Sequence, residues 1–285
     1  MSAREFAYYA PASLQDAFAL LADEEAKPLA GGMSLIPMMK LRLAAPAKLV
    51  DLRRIPALRS ISQQDGKLHI GAMTTHYELE SSPAIRSSCP LLAAAAASIG
   101  DVQVRNAGTL GGSVAHADPS ADYPAALLAL EASVVLASAK GEREMAFSDF
   151  LVDTFTTAIE PGELVTAIRV PVEEKGTGVH YQKHPQPASG FPMVGVAARI
   201  RLENGRIASA RIGVTGLTGK AYRATVVEGR LNGAAASPEA IESAAGAVAD
   251  GVTPSADIHC SADYRAHLAR VATVRAIGAA VAAAQ

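Results

Sequence analysis

Two glycine-bearing segments contain the residues whose types and spacing could do chemistry. Residues 30–34 read AGGMS and residues 109–113 read TLGGS, so each combines small residues with a hydroxyl group. Glycine lets a backbone press against a ligand and adopt a positive φ. Successive N–H groups in such turns form concavities that bind anions. If the fold brings the two segments together, they suit a ligand with an extended phosphate linkage, such as a dinucleotide.

Each segment also has a simpler explanation, because glycine pairs are common in plain turns. The first segment lacks both G-x-G-x-x-G and G-x-x-x-x-G-K-[ST], so it is neither a Rossmann fingerprint nor a P-loop. Ser34 could be only the N-cap of a following helix. Neither Ser34 nor Ser113 lies in the G-x-S-x-G context of a hydrolase nucleophile. The sequence therefore assigns no catalytic residue.

A polar group follows the second segment and leaves two interpretations open. His116, Asp118 and Asp122 lie close together in the sequence, but they do not have a recognised metal-ligand spacing. A capped helix start at Asp118 is the simpler interpretation. Asp122 could accept hydrogen bonds from a ribityl or ribose hydroxyl. We expect no metal site.

Composition limits the classes of function. The 285 residues carry a net charge of −2, which argues against a nucleic-acid-binding protein. The two cysteines, Cys89 and Cys260, are too few for a disulfide scaffold or an iron–sulfur cluster. The N-terminus has no signal-peptide pattern, and the apolar run at 91–99 is too short to span a bilayer. We expect a soluble, cytoplasmic protein that is not transmembrane.

The elements that must position the two segments can be predicted from local patterns. Residues 6–9, 27–30 and 48–52 resemble strands, and residues 14–21 have helical spacing after the N-cap candidate Ser13. The first glycine segment thus follows a strand directly, and a short helix is expected near 37–43.

A second unit begins near Ile61. Its expected elements are a strand at 67–72, helices at 74–81 and 91–99, a hairpin around Lys140-Gly141 and a strand at 163–172. The stretch 101–122, which holds the second glycine segment, reads as a long irregular loop.

The charged stretch 173–178 is the candidate domain boundary. Three β-like runs follow at 178–183, 193–202 and 208–215, and Asn204-Gly205 between the last two predicts a hairpin turn. A helix begins at Ser237-Pro238, and another follows Ser261. A small antiparallel sheet covered by helices is an α+β arrangement.

Three motifs together resemble the FAD-binding (medium) subunits of molybdenum hydroxylases, the family of carbon monoxide dehydrogenase and xanthine dehydrogenase. They are LAGGMSLIPMMKLRL at 29–43, VRNAGTLGGS at 104–113 with HADPSAD at 116–122, and YQKHPQPASG at 181–190. The resemblance covers essentially the whole chain in the same order. One departure is Met33, where the family commonly has His or Gln.

The resemblance implies an α+β fold. It consists of a two-subdomain FAD-binding domain of the PCMH/vanillyl-alcohol-oxidase type and a C-terminal domain with a three-stranded antiparallel sheet and helices. The expected bounds are 1–175 for the FAD-binding domain, with subdomains at about 1–55 and 56–175, and 176–285 for the C-terminal flavoprotein domain.

The resemblance also implies a non-covalent FAD. The pyrophosphate is expected against the two glycine segments, Asp122 on the sugar-like chain, and Leu164 and Lys183 near the flavin rings. Lys183 is expected to stabilise negative charge on the reduced cofactor. The implied cofactor-binding residues are Leu29, Ala30, Gly31, Gly32, Met33, Ser34, Leu35, Ile36, Thr109, Leu110, Gly111, Gly112, Ser113, Asp122, Leu164 and Lys183.

The implied function is electron transfer within a larger complex. A large subunit with the molybdenum cofactor would oxidise the substrate, and a small subunit with [2Fe–2S] clusters would pass electrons to this FAD, in a dimer of heterotrimers. Quinone, NAD or oxygen is the expected acceptor, and the complex could associate peripherally with the inner membrane. Carbon monoxide, purines, nicotine-like heterocycles and aldehydes remain open as substrates. The alternatives are a self-sufficient FAD-dependent oxidoreductase and an assembly protein without cofactor.

Overall fold

The computed structural model describes residues 2–285, and the first fifty of these form a small parallel β-α-β subdomain. Its elements are β1 (Ala7–Tyr9), α1 (Leu14–Leu21), β2 (Ala26–Leu29), α2 (Leu35–Lys40) and β3 (Lys48–Asp51). The strand order is β1-β3-β2, and both neighbours of β3 run parallel to it. Ser13 caps α1 by accepting a hydrogen bond from the Asp16 N–H at 3.1 Å, as the sequence predicted.

The second unit is built on a five-stranded antiparallel sheet in the order β4-β5-β10-β6-β7. Its elements are β4 (Ile61–Gln64), β5 (Lys67–Gly71), α3 (His76–Ser81), α4 (Pro83–Ser88), α5 (Pro90–Ala97), α6 (Val102–Ala107), α7 (Leu110–His116), α8 (Tyr123–Ala129), β6 (Ser133–Ser138), β7 (Gly141–Ala146), α9 (Phe147–Phe150), β8 (Leu151–Asp153), β9 (Thr156–Thr157) and β10 (Leu164–Pro171). The helix α8 is wholly buried, five of the eight residues of α5 are buried, and both helices belong to the largest core cluster.

The stretch 101–122 is not the irregular loop that its composition predicted. It contains the two short helices α6 and α7. Asp101 caps α6 by accepting from the Val104 N–H at 3.1 Å, and Thr109 caps α7 by accepting from the Gly112 N–H at 3.2 Å. Asp118 starts no helix; its carboxylate accepts from the Ser120 N–H in a tight turn, and α8 begins at Tyr123. Capping side chains stabilise short helices whose composition alone suggests a loop.

The C-terminal domain has a four-stranded antiparallel sheet rather than the expected three strands. Its elements are β11 (Thr177–Pro185), β12 (Pro192–Glu203), β13 (Arg206–Thr215), β14 (Tyr222–Arg223), α10 (Thr225–Leu231), α11 (Pro238–Ala245) and α12 (Ala262–Ala284). The extra strand, β14, is too short to leave a periodic pattern in the sequence. The β12–β13 hairpin turns at Asn204-Gly205, both with positive φ, as predicted. The α+β class is confirmed.

Close backbone contacts hold helices against both faces of this sheet. A Cβ on Gly213 of β13 would lie 2.0 Å from the Ala125 oxygen of α8, and a Cβ on Gly178 of β11 would lie 2.0 Å from the Ala280 oxygen of α12. Within residues 2–285, α12 is the helix whose length and apolar composition could span a bilayer. One face of α12 is buried against β11 and β12, and this packing explains the apolar composition of the helix.

Candidate functional site

The two glycine segments meet in the folded chain. A Cβ on Gly31 would lie 2.2 Å from the Ala107 oxygen and 2.6 Å from the Gly108 Cα, far inside contact distance. A Cβ on Gly112 would lie 3.3 Å from the Ala30 Cβ. The φ of Gly31 is not positive, so the close approach of the two backbones is what requires glycine there.

A cavity of about 1130 Å³ lies over this junction. Its walls come from both subdomains of the N-terminal part and from residues 187–191 of the C-terminal domain. Its volume is slightly above the usual range of about 300–1,000 Å³ for small-molecule sites, as a large cofactor would need. Gly100 and Gly190 close one wall, where a Cβ on either glycine would lie within 3.7 Å of the other's Cα.

The first glycine segment presents its backbone donors to the cavity. In the described part of the chain, the N–H groups of residues 31–35 have no protein acceptor, whereas the next N–H, of Ile36, donates to the Gly32 oxygen at 3.0 Å. Gly32 has a φ of 76°, which turns the chain between β2 and α2. Successive free N–H groups in such a turn suit the oxygens of a phosphate.

The second glycine segment uses most of its N–H groups internally, which differs from our expectation of free donors on both segments. The Leu110 and Gly111 N–H groups donate to the oxygens of Thr74 and Ala72 at 2.9 and 2.8 Å. The Gly112 and Ser113 N–H groups donate to the Thr109 side chain and backbone oxygens at 3.2 and 3.0 Å. This segment contributes close approach and hydroxyl groups more than backbone donors.

Most of the residues expected at the site line the cavity. They are Ala30, Gly31, Gly32, Met33, Ser34, Leu35, Thr109, Gly111, Gly112, Ser113, Asp122 and Leu164. Four others lie outside its lining. Leu29 and Leu110 are buried core residues, Ile36 is half-exposed on α2, and Lys183 lies behind Asp122.

Asp122 and Lys183 form a buried ion pair that joins the two domains. The Lys183 Nζ donates to the Asp122 carboxylate at 2.9 Å and to the Ser98 oxygen at 2.8 Å. The Tyr181 hydroxyl, on the same face of β11, donates to Asp122 Oδ1 at 2.7 Å. Burial raises the pKa of the Asp122 carboxyl, and the Lys183 ammonium opposes that rise. The carboxylate oxygens that could meet a sugar hydroxyl are thus already held by two donors.

His76 is a cavity residue that sequence reasoning missed. It is the first residue of α3, 5% exposed, and its Nδ1 lies 2.9 Å from the Tyr123 hydroxyl. Burial, with a smaller contribution from Arg105, lowers the pKa of the imidazole to about 4. His76 was one of seven scattered histidines. Only the fold places it beside Gly108.

The groups that line the cavity are suited to binding a ligand. Both cysteines are buried free thiols, and burial raises the pKa of Cys89 to about 12. Among residues 2–285, no group of three or more His, Cys, Asp or Glu side chains could hold a metal ion. Free N–H groups, hydroxyls and close-approach glycines fit an extended anionic cofactor.

Comparison with known proteins gives two family matches that together span the chain. The FAD binding domain in molybdopterin dehydrogenase matches residues 4–173. The CO dehydrogenase flavoprotein C-terminal domain matches residues 179–280.

Individual relatives agree with these matches. The carbon monoxide dehydrogenase medium chain of Hydrogenophaga pseudoflava is 40% identical over 277 residues, covering 96% of both chains. The 6-hydroxypseudooxynicotine dehydrogenase complex subunit alpha of Paenarthrobacter nicotinovorans is 38% identical, covering 99% of this chain and 96% of that one. A solved structure of carbon monoxide dehydrogenase from H. pseudoflava superposes with a TM-score of 0.96 at 41% identity, covering 99% of each chain.

Proposed function

This chain belongs to the family of FAD-binding medium subunits of molybdenum hydroxylases, and from that premise we propose that it is the electron-transfer subunit of a heterotrimer. A large partner with the molybdenum cofactor oxidises the substrate, and a small partner with [2Fe–2S] clusters passes the electrons to this oxidoreductase subunit. An external acceptor, which is a quinone, NAD or oxygen, then receives them. Two heterotrimers form the complete complex.

The observation that carries the proposal is the cavity at the meeting point of the two glycine segments. The run of unpaired N–H groups at residues 31–35 supports diphosphate binding there. Gly31 and Gly112 let the two backbones approach the same ligand from adjacent walls. These features suit FAD, which supplies one- and two-electron exchange when bound.

The remaining residues have distinct roles in holding the cofactor. We assign Ser113 and Thr109 as hydroxyl contacts beside the diphosphate, and Leu164 as an apolar wall for the flavin rings. We assign Asp122, which lines the cavity, to the sugar-like chain, and the Lys183 ammonium opposes the rise in the pKa of its carboxyl that burial causes. Lys183 acts on the cofactor through Asp122, because its ammonium is held by that carboxylate and by Ser98.

The substrate site is assigned to a partner rather than to this chain. Relatives named for carbon monoxide and for 6-hydroxypseudooxynicotine, two chemically unrelated substrates, are 40% and 38% identical to this chain. Chains of this type therefore occur in enzymes named for chemically different substrates. We place the domain boundary at 175/176, between the two family matches, and the complex in the cytoplasm or peripherally on the inner membrane.

Co-expression with the partner chains tests this proposal. The chain should co-purify with a molybdenum-bearing and a cluster-bearing subunit, and its flavin absorbance should bleach when substrate is added to the complex. The isolated, FAD-loaded chain should not bleach with the same substrate. Bleaching of the isolated chain would support the self-sufficient oxidoreductase instead, and a chain that never takes up FAD would support the assembly protein.

A further inference from the structure

His76 is held in one orientation at the wall of the cavity. Its backbone N–H donates to the Gly108 oxygen at 3.0 Å, and Thr75 and Glu78 form a capping box around it at the start of α3. Its side chain is buried and lines the cavity. Burial and the contact of Nδ1 with the Tyr123 hydroxyl therefore limit rotation of the ring.

The Tyr123 hydroxyl determines which ring nitrogen carries the proton. Tyr123 is fully buried, and burial raises its pKa well above the ordinary value, so the hydroxyl keeps its proton. In the described part of the chain its acceptor is His76 Nδ1, at 2.9 Å. Because a buried hydroxyl needs an acceptor, Nδ1 accepts and the ring proton lies on Nε2. The lowered pKa of His76 keeps the imidazole neutral near pH 7.

The Nε2–H group lies beside the second glycine segment with no protein acceptor among residues 2–285. A Cβ on Gly108 would lie 2.6 Å from Nε2, so glycine at this position leaves room for the imidazole beside the segment. This is also the side of the cavity where the backbone N–H groups are used internally. The nitrogen keeps access to the cavity, so an oxygen of a bound ligand there can accept its hydrogen bond.

We propose that His76 is a cofactor-binding residue whose Nε2–H donates a hydrogen bond to an acceptor oxygen of FAD beside Gly108 and Thr109. The donor is neutral, so it adds a bond without adding charge to the phosphate side of the cavity. The Nε2–H group thus supplies a hydrogen-bond donor beside the second glycine segment, as the free N–H groups of residues 31–35 do on the first. The inference rests on the proposal that FAD occupies this cavity.

Titration of the apo full-length chain with FAD tests the proposal. His76→Phe keeps an aromatic ring and removes the donor, and we expect the Kd for FAD to rise about tenfold, the effect of one hydrogen bond. His267→Phe, at an exposed position on α12 outside the cavity, is the matched control and should leave the Kd unchanged. Equal Kd values for wild type and His76→Phe would overturn the inference and leave the FAD site intact. Failure of the wild-type chain to bind FAD at all would overturn both.

A second measurement needs no variant. In the chain labelled with ¹⁵N-histidine, the His76 signals should show the Nε2–H tautomer, and FAD should shift the Nε2 signal while leaving His267 in place. A protonated Nδ1, or an Nε2 signal that ignores FAD, contradicts the proposal even if His76→Phe fails to fold.

Discussion

Replacing Gly31 by alanine should separate the two glycine segments and weaken both the fold and the cofactor site. The added Cβ would lie 2.2 Å from the Ala107 oxygen and 2.6 Å from the Gly108 Cα. Both are backbone atoms, so no side chain can rotate away. Relieving the overlap requires the two backbones to move apart by on the order of 1 Å.

That movement has two measurable consequences. Overpacking of this kind costs about 1–3 kcal/mol of stability, which urea denaturation of the apo chain would detect. A 1 Å displacement also misaligns the N–H groups of residues 31–35, so losing one charge-assisted hydrogen bond should raise the FAD Kd at least about tenfold. Titration of the apo chain by quenching of flavin fluorescence measures this.

Gly278→Ala is the matched control for this substitution. A Cβ there has no neighbour within 4 Å, and Gly278 lies inside α12. Helix propensity predicts a gain of up to about 1 kcal/mol at that position with no change in FAD affinity. If Gly31→Ala left both the denaturation midpoint and the Kd at wild-type values, the reasoning from backbone contact would be refuted.

Three further predictions concern the buried charges and the sheet. Asp122→Asn should destabilise the apo chain by about 3 kcal/mol in urea denaturation, because it leaves the Lys183 ammonium buried without a carboxylate. The double variant Asp122→Leu with Lys183→Met should recover most of this loss. If the double variant lost as much stability as Asp122→Asn, the ion-pair explanation would be contradicted. Burial lowers the pKa of the His76 imidazole from its ordinary value near 6.5 to about 4 in the folded chain, so unfolding takes up a proton between these pH values and stability falls as the pH drops through this range. The loss relative to His76→Phe should reach roughly 3 kcal/mol at pH 4, and parallel pH dependences would refute it. Gly178→Ala, whose Cβ would lie 2.0 Å from the Ala280 oxygen, should cost about 1–3 kcal/mol yet leave the FAD Kd unchanged; a changed Kd would show that this contact reaches the cavity.

Local sequence signals predicted those elements whose stability is local. The Asn204-Gly205 turn, the Ser13 cap and the Ser237-Pro238 helix start were all confirmed, because each depends on the conformation of two to four adjacent residues. The prediction of an irregular loop at 101–122 was wrong. The side chains of Asp101 and Thr109 cap two short helices there, although the stretch is rich in glycine and polar residues. The missed strand β14 exists only as an edge partner of β13.

The candidate cofactor-binding residues divide in the same way. The types of the two glycine segments, and their resemblance to one family, were readable from the sequence, and the family matches confirmed the resemblance. An N–H group is free to bind a ligand only where no protein oxygen already accepts its hydrogen bond. For Leu110 and Gly111 those acceptors are the oxygens of Thr74 and Ala72, which belong to another part of the chain.

The sequence by itself therefore determined the α+β class, the family and the two segments that can approach a phosphate closely. Only the tertiary structure decided that Gly31 presses on Gly108, that Lys183 is held by Asp122, and that His76 faces the cavity. Conformational preferences act between neighbouring residues, whereas contact, burial and hydrogen-bond pairing are set by residues far apart in the chain. The candidate cofactor site depends on local sequence and on tertiary packing. Glycine, which has no Cβ, allows the two backbones to approach closely, and the packing of the two subdomains brings them together.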